Sequence, residues 1–203
     1  MVHLSIRLAD VEDDPLPVAL MNTIWADRDG VHDTLDDEAT DWLRTAADVL
    51  LADTTCDGLE DDIHEDVARL RRLRDALRRL AAELTDDPRP AAASAIADRA
   101  DAITALNETC ALATAWPALV WPPTAPPRAS ARTAHPRSTS AVARLAAQAV
   151  DLLTRPSALG ACEAPGCVRY FVRDRPRRGW CSAACGNRAR VARHYRRHHG
   201  ADG

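Results

Sequence analysis

Four cysteines near the end of the chain constrain its folding more than any other feature. Cys162 and Cys167 are separated by four residues, Cys181 follows after thirteen more, and Cys185 after a further three. Two close cysteine pairs bracketing a short stretch is the spacing of a structural zinc site, because the metal needs four soft ligands converging from different directions. Pro165 and Gly166 permit a tight turn within the first pair, and a helix start gives the second pair a rigid base. Between the pairs, Val168, Tyr170 and Val172 alternate with Arg169, Phe171 and Arg173, which predicts a short strand. Asp174 to Gly179 reads as a turn, and Trp180 begins the return strand. Such a hairpin is too small to fold alone, so the metal supplies its folding free energy. Disulfides would need an oxidising compartment, and Met1 to Asp14 lacks the basic flank and apolar run of an export signal. A catalytic zinc would need an open position, which four thiolates do not leave. His194, His198 or His199 as a ligand would leave one thiolate spare.

A helix is predicted from about Ser182 to His199. At ~100° per residue, Cys181, Cys185, Arg188, Ala192 and Tyr195 share one side, with Ala184 and Val191 beside them. Arg190, Arg193, His194 and Arg197 share the other, flanked by Arg196, Arg177 and Arg178. The first side holds the metal and a small core. There Arg188 is expected to point inward, pairing with Asp174 or packing on Trp180. The second side is a basic stripe. Residues 160–203 carry ten Arg against three acids. A four-thiolate zinc site subtracts about two charges, and the excess that remains is the footprint of a nucleic-acid contact. The expected DNA-contacting set is Asn187, Arg190, Arg193, His194, Arg196 and Arg197. Most of these contacts go to phosphate, with Asn187 or an Arg reaching base edges.

The front of the chain has the opposite sign. Residues 1–127 hold 26 acids against 11 Arg, residues 128–203 hold four acids against 15 Arg, and there is no Lys. The formal net charge of −4 averages two unlike halves, which implies segments with different partners. It also lets an acidic front mask the basic tail of the free protein.

Length allows one full domain plus a small one. Ala supplies 40 of the 203 residues and only eight are aromatic, which favours packed helices over a sheet sandwich. The predicted class is α+β, mainly α. Val2, Leu4, Ile6 and Leu8 alternate as a strand does, and Val18 to Trp25 opens a first helix. Asp27 to Asp41 reads as a loop, and a second helix runs near Glu38 to Ala52. The third, about Leu59 to Leu84, has the clearest apolar stripe; its Arg residues fall mostly off that stripe, on a solvated face. A fourth is predicted over Ala92 to Ala115 and a fifth over Ser140 to Thr154, capped by Ser140. Cys56 and Cys110 read as core thiols. Trp116 to Ser138 holds six of 13 prolines and reads as an irregular connection in which Val120 and Trp121 can form a short strand. The longest uncharged stretch, Thr109 to Pro127, contains five prolines and cannot cross a membrane as a helix, so the chain reads as soluble and cytoplasmic.

The run WCSAACGNRAR from Trp180 to Arg190, with Cys162 and Cys167 before it, resembles the CGNR zinc finger over Ala161 to Arg197. Members of that family carry the finger after an N-terminal ABATE domain and are regarded as stress-induced bacterial transcription regulators. The resemblance implies a treble-clef-like finger: a knuckle, a hairpin, then a helix bearing the last two ligands. Ala19 to Thr23 look like the family's early motif ending in Asn-Thr, Asp41 to Leu43 like its next helix, and Leu106 with Asn107 falls in order. The family places a β-hairpin before its penultimate helix, where this chain has the Pro-rich 116–138 segment. The finger's turn has Pro176 and Gly179 where more polar residues are common. The expected organisation is an ABATE-like domain over 1–155 and a CGNR finger over 160–199.

The function expected is a zinc-dependent DNA-binding regulator, whose N-terminal domain takes a small-molecule or protein effector. The alternative is a zinc-stabilised interaction module docking an acidic partner. No enzyme is expected: Asp36, Asp37, Glu60, Asp61 and Asp62 occur in runs, as solvated loops and helix starts do.

Overall fold

The computed structural model describes residues 14–58, 62–155, 159–175 and 178–199. The expected strand over Val2 to Leu8 lies outside them, as does the Leu59 start of the third helix.

The helix α3, Ile63–Leu84, is the spine of the molecule. Asp62 caps it by accepting from the His64 and Glu65 N–H groups, and Val67, Leu70, Leu73, Leu77 and Ala81 form its buried face. Against it pack α1 (Leu16–Met21), α2 (Leu35–Leu50), α4 (Arg99–Cys110) and α5 (Arg137–Leu153). Leu20, Leu43, Leu70 and Leu145 are among the fully buried residues of the resulting core. Cys56 and Cys110 are partly buried against it.

Several boundaries differ from the sequence reading, each for a local reason. The first helix stops at Met21, where Thr23 Oγ1 turns back to donate to the Leu20 carbonyl at 2.8 Å. The chain then forms a hairpin of β1 (Ile24–Ala26) and β2 (Val31–Asp33), with the Trp25 and His32 rings stacked. The α4 helix is shorter than expected because Asp98 caps it, accepting from the Ala100 and Asp101 N–H groups. The α5 helix starts at Arg137 after Pro136, so Ser140 is a buried residue of its first turn and not its cap.

The Pro-rich segment is ordered. Strands β4 (Trp116–Val120) and β5 (Arg128–Thr133) form an antiparallel hairpin, and β5 runs parallel to β3 (Thr54–Cys56), giving the order β3-β5-β4. Proline is compatible with this ladder because Pro117 lies on the edge strand and Pro122, Pro123, Pro126 and Pro127 lie in the connecting loop. The irregular reading of this segment is corrected: a hairpin stands where the sequence reads as departing from the family's pattern.

The finger contributes β6 (Leu159–Ala161), β7 (Tyr170–Val172) and α6 (Ala183–His199). The partner of β7 is β6, which precedes the first cysteine, so the hairpin wraps the first cysteine pair. The expected return strand at Trp180 is absent among the described residues; one backbone bond, Glu163 N–H to the Gly179 carbonyl at 3.0 Å, ties that segment in.

Candidate metal centre

Cys162, Cys167, Cys181 and Cys185 come together with their Sγ atoms all within 4.8 Å of one another. Cys167 and Cys181 are 3.8 Å apart, and Cys181 and Cys185 3.5 Å. Tetrahedral ligation at about 2.3 Å per Zn–S bond puts sulfurs about 3.8 Å apart, so the four thiols fit a zinc ion. The first pair sits on a tight turn in which the Cys167 N–H donates to the Ala164 carbonyl at 3.0 Å. Gly166, at φ +71°, takes the left-handed position that this turn requires after Pro165. Backbone N–H groups two residues on, at Ala164 and Arg169, point at the sulfurs of Cys162 and Cys167. Cys181 N–H lies 3.4 Å from the Cys162 sulfur. These donors stabilise thiolate.

Crowding couples the thiols. Hydrogen bonds from Cys167 and Cys181 hold Cys162 down at about 2, while the same contact with Cys162 pushes Cys167 up to about 11 and raises Cys181 as well. The shape of the site favours the Cys162 thiolate at the expense of Cys167 and Cys181. A divalent cation removes the conflict and lets all four ionise.

The hairpin beside the thiols is buried on both faces. Tyr170 and Phe171, adjacent in β7, are both fully buried. Phe171 joins the cysteines, Ala164 and Ala189 in the finger's own core, while Tyr170 and Leu159 belong to the core of the helical domain. The short strand expected here therefore lies between two cores.

Polar side chains of the helical domain finish the seal. Asn22 Nδ2 donates to the Tyr170 carbonyl at 2.8 Å, and its Oδ1 accepts from the Tyr170 N–H at 2.9 Å. Arg89 donates to the carbonyls of two metal-site cysteines, Cys162 at 2.9 Å and Cys167 at 2.6 Å, and is paired with Asp87. Tyr170 OH donates to Asp87 at 2.9 Å. Burial opposes the charge of Asp87, but its bonds from Arg89 prevail and hold its carboxyl below the usual range. Burial, then the Asp87 charge, push the Tyr170 phenol up to about 12. Arg78, fully buried, donates to the carbonyls of Met21 at 2.9 Å, Ala92 at 3.1 Å and Val168 at 3.4 Å. Arg74 is also buried, on Asp33 at 2.5 Å. The expectation of a solvated arginine face on α3 is corrected for these two. The signal was present: Arg74 lies four residues after Leu70 and three before Leu77, on the apolar stripe itself.

The α6 helix buries Cys185, Gly186 and Ala189, with Ala192 partly covered. Ala189, four residues after Cys185, takes the inward position expected of Arg188. Arg188 is exposed and places Nη2 3.2 Å from the Cys185 sulfur. Asp174 pairs with Arg178 at 3.4 Å. Trp180 covers Gly186, where an added Cβ would meet its ring at 3.4 Å. Val191 and Tyr195, expected beside the core, are exposed because the helix has passed the finger's edge by then.

The expected DNA-contacting residues Asn187, Arg190, Arg193, His194, Arg196 and Arg197 are all exposed. Among the described residues, Arg190, Arg193, Arg196 and Arg197 form no ion pair. Arginines of the basic half that reach the acidic front precede the finger: Arg128 to Asp53, Arg132 to Asp57 and Arg137 to Asp48. Among the described residues, Arg190, Arg193, Arg196 and Arg197 are therefore not masked by the chain's own acids. No helix of the described residues is long and apolar enough to cross a membrane.

Comparison with known families agrees with this construction. Residues 14–156 match the ABATE family, described as "Putative stress-induced transcription regulator". Residues 158–198 match the CGNR zinc finger. No curated protein matches the chain. With the helical scaffold first and the four-thiol site after it, the chain belongs to the ABATE family and carries a CGNR zinc finger.

Proposed function

We propose that this chain is a zinc-dependent DNA-binding transcription regulator that contacts the duplex through α6. Zinc, when bound, offsets half of the charge of the four thiolates and ties the first helical turn to the knuckle. The observation that carries the reading is the division of α6. Cys185 and Ala189 anchor one side, while Arg190, Arg193 and Arg197 stand on the other with no carboxylate partner among the described residues. Unpaired, exposed guanidinium groups in a row are the groups that displace counterions from phosphates. The family's description supports the regulatory role and its link to stress. Binding of a fluorescent duplex across a salt series tests the proposal. Three phosphate contacts give a log–log salt slope of about −3. Absence of binding at ~50 mM salt, where phosphate contacts are strongest, overturns it.

A second reading, a zinc-stabilised module docking an acidic protein, draws on one observation. Val191 and Tyr195, four residues apart on α6, are 61% and 63% exposed. Under it Tyr195→Ala abolishes partner binding, and the duplex is not bound.

A further inference from the structure

The start of α6 borders a cleft of about 610 Å³ whose walls include Arg175, Trp180, Ser182, Gly186 and Arg190. We infer that this cleft is a phosphate seat, holding one phosphodiester of the duplex and so fixing where α6 sits on it. The inference rests on the DNA-binding reading above and adds to it a defined anion site.

Three groups supply the positive potential. Arg190 is exposed, and its Nη1 lies 3.7 Å from where a Gly186 Cβ would stand. Helical side chains lean toward the N-terminus, so the missing side chain at Gly186 lets this guanidinium lie back over the first turn. Arg175 is 85% exposed and touches Asp174 only through Nε at 3.9 Å, which leaves its terminal nitrogens for a ligand. The third group is the helix end itself. Ser182 Oγ takes the Cys185 N–H at 3.2 Å and the Ser182 carbonyl takes that of Gly186 at 3.0 Å. The Ala183 and Ala184 N–H groups have no acceptor among the described residues. The open amide of Ala183, the positive end of a helix dipole and the guanidinium groups of Arg175 and Arg190 border the one cleft, the donor set that an anion site requires. Asp174 also borders the cleft, but Arg178 neutralises it at 3.4 Å while donating to the Trp180 and Cys181 carbonyls. Arg178 thus builds the wall and is not free to bind.

The seat lies at the head of the basic stripe. Gly186, Arg190, Arg193 and Arg197 follow at spacings of four, three and four, one line down the helix. A phosphate in the cleft sets the register of that line along the backbone.

Ser182→Asp separates the seat from folding. Asp is as good a helix cap as Ser and suits the dipole, so the finger keeps its zinc and its thermal stability, while its carboxylate repels phosphate. In the zinc-loaded full chain, Ser182→Asp is expected to weaken duplex binding at least tenfold. Arg175→Gln and Arg190→Gln should each flatten the salt slope by about one unit. If Ser182→Asp and Arg175→Gln bind as the parent does while Arg193→Gln is weakened, the seat is refuted and the DNA reading stands. If the parent binds no duplex at ~50 mM salt, both fall. Inorganic phosphate alone, titrated against amide signals of Ala183 and Ala184, is the remaining arm. Saturation by free phosphate with unchanged duplex binding in Ser182→Asp marks a free-anion site and overturns the phosphodiester assignment.

Discussion

The hairpin of the finger and the helix that follows it share the same four sulfurs but are held by very different amounts of protein. Tyr170 and Phe171 are fully buried, one in each core, and Asn22, Arg78, Arg89 and Asp87 reach from the helical domain to this half. The described residues of α6 past Ala189 are mostly exposed, and the start of the helix is held by Cys185 and Ala189 in the small core around Phe171. The hairpin half is thus built as part of the helical domain, and the helix half as a projection from it. The metal is the joint. Arg89 ties the knuckle to the helical domain through the carbonyls of Cys162 and Cys167.

Breaking the joint gives the largest effect. Cys181→Ser should release about one zinc per chain, at a cost on the order of 10 kcal/mol of binding free energy. Hydrogen exchange should then show α6 unprotected while β6 and β7 stay protected. Loss of protection in both halves would show that the hairpin leans on the metal as heavily as the helix does.

The next test uses pH on the hairpin half alone. Tyr170 is raised to about 12 from an ordinary value near 10, so the folded state favours the neutral phenol. That preference is worth about 3 kcal/mol, is fully present below about pH 10, and is lost as pH rises through 12. Tyr170→Phe should flatten the fall in stability across this window. An unchanged pH profile would place the phenol outside the docking energy.

Asn22→Ala comes third. It strips the Tyr170 N–H and carbonyl of their partners in a buried place, at about 2 kcal/mol, or roughly 4–8 °C in thermal midpoint for a chain of this size. Zinc content should not change. Arg193→Gln is the smallest in stability, within about 0.5 kcal/mol, yet it should flatten the salt slope of duplex binding by about one unit. A large stability loss there would mean that α6 packs on something.

The four-cysteine cluster was legible in the sequence because ligand spacing is a local property. The long helices were legible from their stripes, with ends misplaced where a cap such as Asp98 overrode apolar content. Two hairpins were hidden for different reasons. Ile24–Asp33 lay in an acidic run, and Trp116–Thr133 lay among prolines that an edge strand and a loop both accept. The hardest feature was the union of finger and helical domain. It depends on Arg78 and Arg89 donating to carbonyls of the finger, and a charge on a helix or loop is assigned to solvent until its partners are seen. Tyr170 and Phe171 are apolar neighbours in a strand, and only the fold shows that each has a core to enter.

The latch at Asn22 also has a consequence for association between molecules. A two-stranded sheet leaves two rows of backbone groups open, and an open row invites a strand from another chain. On β7 that row is filled. Asn22 occupies the Tyr170 N–H and carbonyl, Asp14 accepts from the Val172 N–H at 3.0 Å, and Arg178 donates to the Val172 carbonyl at 3.4 Å. Three side chains stand where a third strand would lie, so the finger cannot be extended by β-pairing along this edge. Any oligomer of this chain must be assembled through another surface.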